Sequence, residues 1–260
     1  MSMIIEGKAI AEEIITAYAA REHKRPLRLG IVVVGNDPII ESFVRIKQKT
    51  AARVGVEIIR IDIDAQEGEG EVVRLVEDLS ERVDGVIVQL PLPRHIHTDT
   101  VLAHIPRNKD VDGINSDGSD YIAPVALAVQ EILKSGQVSI AGKRAVVLGA
   151  GRLVGAPAAR LLESLGARVE VITLENPSLE KLKDAEIIVS GVGSPGLITP
   201  DLIREGCVLI DAGTSESGGK VLGDADPACA ENCALFTPVP GGVGPIAVAM
   251  IFKNLIDAAK

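Results

Sequence analysis

The sequence has no tryptophan, and tyrosine and phenylalanine bring aromatics to only 2% of its 260 residues. Proteins that hold single-stranded nucleic acid stack bases on aromatic rings, so that class is poorly served. A basic excess is also missing. Lys and Arg number 27 against 36 Asp and Glu, a formal net charge of −9, which repels a phosphate backbone. Cysteine is sparse, with Cys207, Cys229 and Cys233 only. An odd, thin set is no disulfide framework. Cys229 and Cys233, four apart, would share a helix face, but no His or carboxylate cluster completes a metal set. They read as small buried hydrophobes, and no metal is expected. Long apolar runs are absent too, none approaching the roughly 18 residues of a membrane span. The opening MSMIIEGKAIAEEI lacks the basic-then-apolar layout of a secretory signal, so the expected compartment is the cytoplasm. Histidine is scarce, and His23, His95, His97 and His104 all lie on polar or loop stretches. That argues against a dehydrogenase for an acid or amino-acid substrate that relies on a catalytic His.

What is present is 47% hydrophobic residue, enough for a proper core in one or two domains. KAIAEEIITAYAA (8–20) carries Ile10, Ile14, Ile15 and Tyr18 on one helical stripe. LRLGIVVVG (27–35) reads as a strand buried on both faces, followed by a turn at Asn36, Asp37 and Pro38 and a helix to about Gly55. VEIIRIDI (56–63) is a strand, EVVRLVEDLS (71–80) a helix and DGVIVQL (84–90) another buried strand. A short helix over 98–105, a short strand or turn at KDVDGI (109–114) and a helix over about 124–134 lead into a second series. Its strands are AVVLG, RVEVIT, EIIVSG and CVLIDAG, interleaved with helices, and VGPIAVAMIFKNLIDAAK is a final helix. Two β-α series mean an α/β chain of two domains with mostly parallel sheets. The expected partition is 1–120 with the C-terminal helix 243–260, and 121–242 as a Rossmann-like dinucleotide-binding domain.

GAGRLVGAP (149–157) follows the strand KRAVVL and precedes AARLLESLG. Its Gly149, Gly151 and Gly155 space as GxGxxxG, one residue longer than the usual fingerprint. The first glycine ends a strand, Gly151 would admit a pyrophosphate, and a helix starting near Arg152 would offer unpaired N–H groups and a positive dipole end. Gly149, Gly151, Arg152, Leu153, Val154 and Gly155 are thus the candidate cradle, with Val192 and Gly193 beside it after EIIVSG. Cofactor choice should show after the next strand, at Thr173 and Glu175, where an acid accepts from both ribose hydroxyls of NAD and repels the 2′-phosphate of NADP. Glu175 lies 26 residues after Gly149 (175 − 149), longer than the usual spacing of about 20. Arg152 pulls the other way, as a partner for a 2′-phosphate.

In the first series, Lys47 follows Phe43 by four residues in SFVRIKQK, so both face one way on a helix. Gln89 ends a buried strand, where α/β sites gather polar groups, and Asp110 and Asp112 share an acidic turn. Together with IIEGKAIAEEI, VQLPLP, KDVDG, GDAD and TPVPGGVGP, these segments resemble the bifunctional methylenetetrahydrofolate dehydrogenase/methenyltetrahydrofolate cyclohydrolase family over nearly the whole chain. The resemblance implies a two-domain α/β enzyme, usually a homodimer, with a tetrahydrofolate derivative in the cleft between domains. It implies oxidation of the 5,10-methylene form with NAD or NADP, then hydrolysis of the methenyl cation to 10-formyltetrahydrofolate. By position, Lys47 matches the catalytic lysine, Gln89 the glutamine that tunes it, and Asp110 the aspartate that anchors the pterin. Pro240, Gly241 and Gly242 match a loop beside substrate and nicotinamide, where Pro and Gly suit close approach to a flat ring.

Three departures from the family pattern stand out. Phe43 replaces the usual Tyr, which keeps ring packing and loses a hydroxyl; dehydrogenase activity is expected to persist and hydrolysis to weaken. In the glycine turn, Ala150 and Gly151 replace an arginine and a serine, while Thr173 and Leu174 replace a histidine-serine pair, with Glu175 next. These changes favour NAD over NADP, with Arg152 as the feature that favours NADP. APVA (123–126) replaces a PCTP-like segment. Two alternatives follow: an NAD-dependent dehydrogenase without hydrolysis, which Phe43 favours and Lys47 and Gln89 oppose, and a non-catalytic folate- or nucleotide-binding protein, which the retained site residues oppose.

Overall fold

The apolar runs and the helices between them build two parallel sheets. The computed structural model describes residues 2–259 except Lys24, Asn176, Gly218 and Gly219, and the backbone alone of Ser217. In chain order the first elements are β1 (Met3–Ile4), α1 (Gly7–Ala19), β2 (Leu27–Val34), α2 (Pro38–Arg53), β3 (Val56–Ile63), α3 (Glu69–Ser80), β4 (Gly85–Val88), α4 (Thr98–Ala103) and α5 (Pro124–Ser135). Then come β5 (Arg144–Leu148), α6 (Gly155–Ser164), β6 (Arg168–Ile172), β7 (Ile187–Ser190), β8 (Cys207–Asp211), β9 (Ser215–Ser217), β10 (Lys220–Leu222), β11 (Cys233–Phe236) and α7 (Val243–Ala258).

The chain divides into two compact units, Glu12–Pro124 with Val248–Lys260, and Val125–Ala247 with Met1–Ala11. The first holds a three-stranded sheet in the order β3-β2-β4, all parallel. Val72, Val76 and Leu79 of α3 pack with Val32, Val86 and Val88 of that sheet into one buried cluster. The buried run IVVV of β2 is what a parallel strand covered on both faces requires.

The second unit holds a six-stranded sheet in the order β1-β11-β8-β7-β5-β6, every neighbouring pair parallel. Three expectations change here. The N-terminal segment does not belong wholly with the first series, because Met3 and Ile4 pair with Leu235 and Phe236 of β11. The strands after β6 are not joined by full helices. Single 3-10 stretches, Leu179–Asp184 and Pro200–Leu202, fill those crossovers, and β9 and β10 form an unforeseen antiparallel hairpin. Cys229 and Cys233 share no helix. Cys229 lies in a 3-10 turn, while Cys233 on β11 is in register with Cys207 on β8, and all three are buried.

Candidate functional site

Each sheet has a reversal in strand order, and ligands in open α/β sheets gather outside the carboxyl ends of the strands at such a switch point. In the first unit the reversal falls between β2 and β4. Past the end of β2, the Asp37 carboxylate accepts from the Ile39 and Ile40 N–H groups at 2.7 and 3.4 Å and caps α2, with Pro38 in its first turn. The helix then buries Ile40, Val44, Lys47 and Ala51 on one stripe. A lysine in that stripe is held indoors, with only 8% of its surface exposed. Gln89, one residue past β4, continues the ladder by donating its backbone N–H to the Val32 carbonyl at 2.9 Å. Its side-chain Oε1 accepts from Lys47 Nζ at 2.9 Å. Burial lowers the Lys47 ammonium from its ordinary range, while the charge of Asp112 opposes that change. The buried lysine therefore faces a neutral acceptor and releases its proton more readily than a surface lysine does.

The acidic turn separates its two carboxylates. Asp110 has no exposed surface. Its Oδ2 accepts the Asn115 N–H at 2.9 Å, and its Oδ1 is buried without a partner. Such a group braces the turn and offers a ligand no open face, so the pterin-anchor role expected for Asp110 does not fit its surroundings. Asp112 is half-buried, and burial pushes its carboxyl up to about 6, with Lys47 pulling it down and Asp110 pushing it further up. It is the carboxylate electrostatically coupled to Lys47. Phe43 lies one turn before Lys47 but is 41% exposed, a ring at the rim rather than a core side chain. Nothing in the spacing of KDVDG distinguishes which of its two acids lies toward Lys47.

In the second unit the reversal falls between β5 and β7, and the glycine turn sits there. Gly149 follows β5 with φ +95°, and a Cβ on it would meet Val192 Cγ1 at 3.1 Å and the Gly191 carbonyl oxygen at 3.2 Å. A Cβ on Gly155 would stand 1.9 Å from the Gly149 carbonyl oxygen, whereas one on Gly151 would meet nothing within 4 Å. Gly155 thus lets α6 press onto the end of β5, Gly149 lets the segment after β7 approach, and Gly151 leaves open space beside the turn. The helix begins at Gly155 rather than near Arg152. Arg152, Leu153 and Val154 form the turn before it, with Leu153 exposed and Val154 packed against Gly191. Thr173 and Glu175 follow β6, half-buried and exposed respectively. Gly193 has φ +70°, and its carbonyl accepts from Ser215 Oγ at 2.8 Å. The open Gly151 and the N-terminus of α6 form a cradle that fits a dinucleotide pyrophosphate.

The loop TPVPGGVGP also lies in the second unit. Pro240 is exposed, and Gly241, at φ +110°, has nothing near its missing Cβ. Gly242 differs, since its N–H donates to the Pro238 carbonyl at 2.8 Å and its oxygen lies where a Cβ on Gly7 would go. The tip that can approach a ring is therefore Pro240-Gly241, and Gly242 is a packing residue.

The sequence and the fold both have known relatives. The family model described as "Tetrahydrofolate dehydrogenase/cyclohydrolase, catalytic domain" matches residues 5–112, and its companion, the NAD(P)-binding domain, matches residues 123–260. A curated relative, the bifunctional protein FolD of Staphylococcus aureus, is 36% identical over 280 residues, covering 100% of this chain and 97% of that protein. Among solved structures, the Campylobacter jejuni FolD enzyme superposes with a TM-score of 0.92 at 29% identity, covering 100% of this chain and 99% of the other. The Trypanosoma brucei methylenetetrahydrofolate dehydrogenase-cyclohydrolase, solved with NADP and an inhibitor, gives 0.93 at 31% identity, covering 99% and 97%. With the Lys47–Gln89 pair at one switch point, the glycine turn at the other and both family domains matched in order, the chain belongs to the tetrahydrofolate dehydrogenase/cyclohydrolase family.

Proposed function

We propose that this protein oxidises 5,10-methylenetetrahydrofolate to the 5,10-methenyl form with a nicotinamide dinucleotide and hydrolyses the product to 10-formyltetrahydrofolate. The observation that carries this reading is the buried Lys47 donating to Gln89 at 2.9 Å, in a chain whose second sheet ends in a glycine cradle. Gly149, Gly151, Gly155 and Val192 would hold the dinucleotide, which supplies a hydride acceptor. Folate nitrogen lone pairs drive the hydride out, so the protein's task in that step is orientation. In hydrolysis, neutral Lys47 takes a proton from water as the oxygen bonds to the methenyl carbon. The protonated amine then delivers that proton to N5 as the C–N5 bond breaks. The new carbonyl forms with loss of the second water proton, so one proton is released per turnover. Asp112 accepts from the pterin amino and ring N–H donors, the role that the enclosed Asp110 is too buried to fill.

The finer reading is NAD as the preferred cofactor. Ala150 and Gly151 offer no polar side chain for a 2′-phosphate, and Glu175 stands exposed after β6, where a ribose would lie. NADP in the T. brucei relative and Arg152 beside the turn favour the other cofactor. We also place the protein in the cytoplasm as a homodimer. The three cysteines suit a reducing compartment, and among the described residues no helix is long and apolar enough to cross a membrane. The test is the initial rate with 5,10-methylenetetrahydrofolate and NAD or NADP in parallel, acid-quenched to separate methenyl product from reduced cofactor. Faster turnover with NAD supports Glu175 as selector. Faster turnover with NADP makes Arg152 the clamp, and no turnover with either overturns the enzymatic reading.

A further inference from the structure

Behind the glycine turn, at the carboxyl ends of β7 and β8, a second pair of carboxylates lies fully inside the protein. Asp224 has no exposed surface and Asp211 has 2%. Asp224 is wired entirely to one loop. Its Oδ2 accepts from Ser190 Oγ at 2.6 Å and from the Val192 N–H at 2.9 Å, and its Oδ1 accepts from the Ser194 N–H at 2.7 Å. Asp211 closes the arrangement from the other side, taking the Gly213 N–H at 2.9 Å on Oδ1 and the Ala225 N–H at 2.8 Å on Oδ2. Each aspartate thus grips the segment beside the other. The fit is tight, since a Cβ on Gly213 would stand 2.3 Å from Asp224 Cγ, and one on Gly223 2.2 Å from Asp211 Oδ2.

A buried carboxyl group is costly, and three hydrogen bonds from Ser190, Val192 and Ser194 of one short segment are how that cost is offset. The loop so held, residues 190–194, borders the cradle: Val192 lies 3.1 Å from where a Cβ on Gly149 would be, and Gly191 packs on Val154. We infer that Asp224 is the positioning residue of the dinucleotide site, fixing the loop after β7 so that its backbone meets the cofactor in one conformation. This rests on the dinucleotide reading of the second unit. Asparagine in its place keeps the shape but presents one acceptor oxygen and one NH2 donor to partners that include two backbone N–H groups. At least one of the loop's tethers is then lost.

The expected consequence is selective. Lys47, Gln89 and Asp112 all belong to the other unit, and hydrolysis consumes no cofactor. Asp224→Asn should weaken binding of NAD and NADP by about tenfold or more, the effect of leaving a buried donor unsatisfied. It should lower the dehydrogenase rate relative to the cyclohydrolase rate by a similar factor. Calorimetric titration of the full-length protein with NAD and with NADP measures the first, and paired assays the second. Ser190→Ala removes one tether and no charge, and should give a smaller weakening in the same direction, so it decides the matter if the first variant does not fold. Unchanged dinucleotide affinity in a folded variant overturns the inference, as does a parallel fall in both activities, the mark of general structural damage. Wild-type protein that binds neither dinucleotide overturns the dinucleotide reading itself, and this inference with it.

Discussion

The hydroxyl that Phe43 lacks is worth one ordinary hydrogen bond at the rim of the Lys47 site, about 0.5–1.5 kcal/mol. Phe43→Tyr should therefore raise the rate of methenyl hydrolysis by about 2- to 10-fold and leave hydride transfer unchanged, because only hydrolysis needs a placed water. A stopped assay of methenyl loss checks this, and an unchanged rate would overturn the expectation that Phe43 weakens hydrolysis. Gln89 can be tested through charge. Its neutral Oε1 is the acceptor of the Lys47 ammonium, so Gln89→Glu replaces a neutral partner with an anion. An opposite charge favours the protonated amine and raises its pKa. If Lys47 acts neutral, the rise of hydrolysis rate with pH then moves to higher pH by about one unit or more, which a pH–rate profile reads directly. The places of Lys47 and Gln89 were legible in the sequence because each belongs to a regular element, a buried helix stripe and a strand end, while their pairing came from the family resemblance. The anchor was not. Asp110 and Asp112 sit two apart in an irregular turn, where no periodicity assigns a direction, and only the enclosure of Asp110 and the coupling of Asp112 to Lys47 separate them.

At the scale of the element, two of the three glycines in the turn have different duties, and substitution should separate them. A Cβ on Gly155 would overlap the Gly149 carbonyl at 1.9 Å. Gly155→Ala must push α6 off β5, an overpacking that costs about 1–3 kcal/mol and lowers the melting temperature by several degrees. A Cβ on Gly151 meets no protein atom within 4 Å. Gly151→Ala should keep the melting temperature and weaken dinucleotide binding, since the methyl would intrude only on the ligand. Thermal melts and titrations on both variants test the pair. The turn and its flanking strand were readable from apolar periodicity broken by glycine, and β2 to β4 were placed by the same signal. What escaped was structure made by distant pairing. β1 is two residues long and exists because Met3 and Ile4 meet β11 more than two hundred positions away. The crossover from β6 to β7 carries polar, helix-compatible residues over Leu179–Asp184, yet it winds only as a 3-10 turn. Local propensity cannot foresee either outcome, because tertiary packing decides both.

For the whole molecule, the strand order leaves β6 at the edge of the six-stranded sheet, paired only with β5. An open edge presents unpaired N–H and C=O groups, which proteins protect with charge, a cover or a second chain. The charges at Arg168 and Glu170 blunt the edge only in part, because Val171 between Glu170 and Ile172 is 42% exposed. A two-fold related copy would cover the same patch on both partners at once, so the homodimer proposed above is expected to meet through this strand. Val171→Lys places a charge in the middle of that patch and should convert a dimer to a monomer in analytical ultracentrifugation at micromolar concentration. A variant that stays dimeric would move the contact to another surface. Turnover gives a second reading of the same sample. The Lys47–Gln89 pair and the glycine cradle are each built from a single chain, so dissociation should leave methenyl hydrolysis and dinucleotide binding in place. Loss of both on dissociation would mean that the partner stabilises each unit beyond what its own core provides.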